Sequence, residues 1–218
     1  IMATFLSMVN EVLARLREEQ VYTVNQSAYS TMIGLYVNDA KNQVEAAWEW
    51  DALNTTVPLS TIVGTTTYTL PGSGTRQKGV DVNITTTGRQ AKLLPKSMKW
   101  IQDQQQLSTV TPGSPCYYAW NGSDGTDSKV EIFPTPDGVY TLAFNMNVPQ
   151  VTLADDTDVI TVPYEPVVAG AFARALVERG EDGGLSSGEA YSLFKSVLAD
   201  RIAIEQTRSE DYDVWVAV

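Results

Sequence analysis

The sequence contains no histidine and a single cysteine, Cys116. Without histidine there is no Ser-His-Asp triad, no Cys-His pair and no imidazole proton shuttle, and most zinc sites are excluded too. One cysteine excludes an intrachain disulfide, and Cys116 is read as a buried, inert thiol. Cations are scarce: 15 Lys and Arg stand against 26 Asp and Glu, a net charge of −11. Such a chain is expected to be soluble and repelled by nucleic acid and anionic membranes. No apolar run approaches the length that spans a bilayer. The stretch Ile1 to Phe5 has neither a basic region nor a long apolar core, so no secretion signal is expected, and Met2 is read as the true start. These absences do not exclude a glycosidase built on two carboxylates.

The residues that are present, 43% of them hydrophobic, support one domain with a good core or a compact core plus a subdomain. The stretch Asn38 to Asp51 reads as the second half of a long amphipathic helix from about Val24 to about Trp50. Thr23 and Gln26 have capping-box spacing, and Tyr29, Ile33, Tyr36, Val37, Ala40 and Val44 follow in steps that make one stripe. A shorter helix precedes it, from Thr4 to Glu19, with Phe5, Val9, Val12, Leu13 and Leu16 on its inner face. The linker between them is short, so the two should lie antiparallel. Helical patterning returns at Pro163, stops at Gly180, and restarts at the Ser186–Glu189 capping box. Phe5, Leu13, Tyr36, Val44, Phe172 and Phe194 are expected to share one core.

Between the helical ends, composition shifts to Thr, Val, Tyr and Gly in short runs separated by turns, the pattern of an antiparallel sheet or sandwich. The expected fold is therefore α+β: a four-helix bundle formed by both ends of the chain, with an inserted antiparallel β subdomain and an extended C-terminal arm. The expected boundaries are 1–54 and 162–207 for the two halves of the bundle, 55–161 for the insert, and 208–218 for the arm.

Chemistry is nearly silent. Asn121 to Ser128 is rich in calcium-type oxygens but lacks the glycine and distal glutamate of a calcium loop, and a hairpin turn is the preferred reading. Asp155, Asp156 and Asp158 are read as solvating a loop. Gly72-Ser73-Gly74 is a turn without the strand–turn–helix context of a phosphate loop. Trp48, Trp50, Trp100 and Trp120 are read as core or interface rather than as a sugar platform. Arg76, Lys78, Arg89, Lys92, Lys96 and Lys99 either occupy ordinary solvated positions or contact an acidic neighbouring subunit. No catalytic residue, cofactor or metal is expected. The chain ends on Tyr212, Val214, Trp215, Val216 and Val218, an apolar ending that should dock on its own sheet or on another chain.

Several stretches together resemble a known family. They are Phe5 to Glu18, Val37 to Lys41 with Trp48-Glu49-Trp50, Gly113 to Tyr118, Pro134 to Leu142, and Glu178 to Gly184. They are similar to the head-to-tail adaptor proteins of tailed bacteriophages, in particular the tail tubular protein A group of short-tailed phages. The resemblance implies a structural virion protein of the neck, made in the host cytoplasm, with no enzymatic activity. It implies a homo-oligomeric ring of about twelve copies. The partners it implies are the portal protein and a tail or nozzle protein, with double-stranded DNA passing through the lumen unbound and no membrane contact. A tail module that binds a receptor or carbohydrate through the tryptophans of the β segment is the second reading.

Overall fold

The computed structural model describes residues 3–107, 109–180 and 186–208. In chain order the elements are α1 (Phe5–Arg15), α2 (Ala28–Ala47), β1 (Asn54–Ser60), β2 (Thr67–Thr69), β3 (Lys78–Ile84), β4 (Ala91–Pro95), α3 (Met98–Leu107), β5 (Tyr117–Ser123), β6 (Ser128–Phe133), β7 (Thr141–Asn147), α4 (Tyr164–Arg179) and α5 (Ser187–Gln206). They belong to two compact units, residues 1–53 with 150–218, and residues 54–149.

The helical unit starts at Thr4, whose hydroxyl accepts a hydrogen bond from the Ser7 amide at 3.2 Å and caps α1. α2 begins later than the Thr23–Gln26 spacing predicts. Its N-cap is Ser27, which exchanges hydrogen bonds with Ser30. Gln26 is occupied elsewhere, accepting from the Tyr22 amide at 2.7 Å. The Asn10 side chain holds both backbone groups of Val21, at 2.8 and 2.9 Å. These local bonds give the linker its own folded course, and the helix starts only once they are made.

α4 lies in the middle of this unit and packs against α1, α2 and α5. That position explains why it is apolar almost all round. Gly170 marks the closest approach. A side-chain carbon there would stand 3.1 Å from both the Ala40 methyl and the Phe194 ring. Gly180, with φ +62°, ends α4 in the left-handed conformation that favours glycine. The non-helical segment 150–162 completes the core with Leu153, Ile160 and Val162.

The strand unit is a curled seven-stranded sheet in the order β1-β7-β3-β4-β5-β6-β2. Its first and last strands pair from Asn54 with Asn147 to Ser60 with Thr141, so the chain leaves the unit beside where it enters. The core is built on Leu70, Val82, Leu93, Val130, Ile132, Leu142 and Phe144.

This architecture corrects the expected one. It is mixed α+β, with five helices and the seven-stranded sheet, and no four-helix bundle framed by the chain ends exists among the described residues. α5 packs along α4 rather than closing a ring with α1 and α2, and α3 belongs to the strand unit. Nor is the sheet wholly antiparallel. β4 and β5 run parallel, because α3 supplies the crossover that parallel neighbours require. Of the expected extended arm, 208–218, all but Arg208 lies outside the described residues.

The two phenylalanines expected in one core differ in depth. Phe194 is fully buried, whereas Phe172 is only partly buried at the edge of the cluster. Phe194→Ala should therefore lower stability by about 3–5 kcal/mol and Phe172→Ala by clearly less. Chemical denaturation of the two variants checks this, and equal losses would contradict the packing described.

Candidate interaction surfaces

The sequence-nominated residues are mostly committed to structure. In the 121–128 hairpin the Asp124 carboxylate accepts from the amides of Thr126 and Asp127, at 2.9 and 2.8 Å. These bonds hold its carboxyl below the usual value. Asp127 accepts from the amides of Gly72 and Gly74, both at 3.0 Å, and so fastens the glycine turn. Among the described residues no group of three His, Cys, Asp or Glu could hold a metal ion. Cys116, expected to be buried, is exposed. It sits just ahead of β5, where its amide donates to the Phe133 carbonyl and its carbonyl accepts from the Leu94 amide, both at 2.9 Å, while its side chain stays exposed.

The tryptophans do not form a sugar-binding platform. Trp50 is buried and donates its indole N–H to the Val44 carbonyl at 2.8 Å. Trp48 packs at the edge of the helical core. Trp100 meets Tyr117 and Phe133 edge-on, and Trp120 meets Tyr118 at 86°. Rings crossed in this way present no common flat face to a ligand.

One polar constellation was not visible in the sequence pattern. Asn38, Lys41 and Glu45 lie on α2 at spacings of three and four, and all three are buried. Asn38 acts as a strand partner: its carboxamide donates to the Leu153 carbonyl at 3.0 Å and accepts from the Leu153 amide at 2.9 Å. Lys41 donates to Glu45 at 3.1 Å and to the Gln150 carbonyl at 2.7 Å. Glu45 accepts from the Gln150 amide at 3.1 Å. Asp156 continues the attachment by accepting from the Val24 amide. Within the acidic run 155–158, Asp156 is therefore a fastening, while Asp155 stays exposed to solvent. Asn38, Lys41 and Glu45 follow the helical period of the apolar stripe beside them, but spacing alone does not separate a buried polar row from a solvated one.

A cavity of about 420 Å³ in the helical unit is lined by Trp50, Asp51, Tyr164, Glu165, Arg201 and Glu205, among others. Two of its carboxylates are in ion pairs, Glu165 with Arg201 and Glu205 with Arg208. Glu205 also accepts from the Asp51 amide at 3.2 Å. No helix among the described residues is long and apolar enough to cross a membrane.

The SU10 adaptor protein family matches residues 3–216, nearly the whole chain. The chain belongs to the SU10 adaptor protein family. This is a family of structural phage adaptors, which agrees with side chains spent on fastening rather than on chemistry. No curated protein matches the chain. The portal-or-neighbour contact residues expected in this adaptor, Tyr212, Val214, Trp215, Val216 and Val218, lie outside the described residues.

Two outcomes test the fastening. Glu45→Ala removes the carboxylate from a fully buried ammonium and should cost about 3–5 kcal/mol. A loss under about 1 kcal/mol in denaturation would show that the pair is not structural. The Asp158 carboxylate accepts from the amides of Ala154 and Asp155, which holds its carboxyl below the usual 3.8. A lowered folded value stabilises the protein above the unfolded value and is lost as pH falls through the folded one. The parent should therefore lose melting temperature more steeply below about pH 4 than Asp158→Asn does. Parallel acid limbs would refute this.

Proposed function

We propose that this adaptor is a neck protein that joins the portal to the tail as a homo-oligomeric ring of about twelve copies around a DNA passage. The observation that carries the reading is the family match over residues 3–216. The likeness of the same stretches to the tail tubular protein A group supports a place at the head–tail junction. The net charge of −11 suits a wall past which DNA must slide without being held. The apolar ending from Tyr212 to Val218 is the segment suited to grip the portal or a neighbouring copy, with Trp215 as its anchor.

A map of the virion tests this. The chain should occupy the neck as a closed ring, and the Trp215→Ala form should melt like the parent yet fail to complete the neck, because a buried aromatic anchor is worth at least about 2 kcal/mol per copy. Density for the chain only at fibres or spikes would overturn the reading.

A further inference from the structure

The acidic character of the chain is confined to one of its units. Residues 54–149 carry seven Lys and Arg against six Asp and Glu. The helical unit carries eight against twenty, and so holds all of the negative excess. Two helical units brought face to face therefore repel, whereas a strand unit meeting a helical unit does not.

Each unit also presents an exposed strip with an apolar centre. On the strand unit, Lys92, Leu94 and Lys96 alternate in the sequence Lys92-Leu93-Leu94-Pro95-Lys96, so all three lie on the face opposite buried Leu93. Leu94 is 53% exposed. The Lys96 ammonium stands 5.2 Å from the centre of the Trp100 ring, and Lys99 is exposed on the first turn of α3. Lys92 has an acid beside it among the described residues, Asp81 at 2.7 Å. On the helical unit, Glu189, Leu193, Asp200 and Ile204 fall within a narrow arc of α5, at steps of four, seven and four. Leu193 and Ile204 are 47% and 45% exposed, and this flank is not the one that holds Phe194. Asp200 is exposed as well.

We propose that the Lys92–Lys99 face of one copy docks on the α5 flank of a second copy, aliphatic against aliphatic and lysine against acid. This rests on the ring reading above and names the contact that would build it. The contact joins two different surfaces, so it is heterologous, and repeated head-to-tail it closes into a ring when the rotation allows. The charge partition favours that arrangement over an isologous dimer through the helical units.

A charge-swap experiment on the full chain tests the contact. One variant carries Lys96→Glu and Lys99→Glu, and the other carries Ser196→Lys and Asp200→Lys. All four positions are exposed, so both variants should melt like the parent. If the glutamate form melts lower, Lys96→Ala with Lys99→Ala replaces it. By sedimentation at about 50 mM salt the parent should self-associate, and more weakly at about 500 mM. Each variant alone should associate at least tenfold more weakly, and an equal mixture should regain parental association, because each reversed face then meets its opposite. A parent that stays monomeric at high concentration and low salt would overturn the proposal. So would variants that associate like the parent, or a mixture no better than its components. Failure here with the chain still mapped to the neck would leave the adaptor reading intact and remove only this contact.

Discussion

The helical unit depends on a buried polar row on one face of α2. Asn38, Lys41 and Glu45 occupy positions where an apolar helix would carry aliphatic side chains. They supply donors and acceptors to the backbone of Gln150 and Leu153, which would otherwise be buried without partners. A return segment with no strand or helix of its own is thus fixed as firmly as a sheet strand. Leu153 enters the core on this backbone, and Ile160 is held there by its amide's bond to the Ala3 carbonyl. The ammonium and carboxylate of this row are tolerable inside because each meets the other as well as a backbone group.

The strand unit solves its own boundary problem with ordinary means. Pairing β1 with β7 brings its ends together, and Asp127 ties the Pro71–Gly74 turn against β6. The parallel β4–β5 pair positions Leu94 and Lys96 beside α3, so the exposed basic strip is a consequence of the crossover. Carboxylates that looked like ligands are engaged by backbone amides, and aromatic rings that looked like a platform are crossed against each other. Membership of a structural phage adaptor family agrees with these polar groups being engaged within the fold.

Much was legible from sequence. The apolar periods of α1, α4 and α5, the Thr4 and Ser186 caps, the stop at Gly180 and the run of short strands are local properties, set by the side-chain period and the needs of orphan backbone groups. The late start of α2 was hidden because Gln26 bonds Tyr22 instead of closing a box with Thr23. The depth of Cys116 was misjudged because apolar character does not report on which side of a paired backbone a side chain stands. The four-helix bundle failed because periodicity gives each helix a face and says nothing of which helix covers it.

By itself, then, the sequence determined the kinds of elements, their approximate order and the absence of histidine chemistry and of an intrachain disulfide, because those follow from composition and near-neighbour spacing. Only the tertiary structure decided that α3 joins the strands, that β4 and β5 run parallel, and that Asn38, Lys41 and Glu45 face inward. Each of those depends on partners more than a hundred residues away or on strands brought together across a crossover. Burial of a polar side chain is decided by whether its hydrogen bonds can be met, and those partners exist only once the distant segment has arrived.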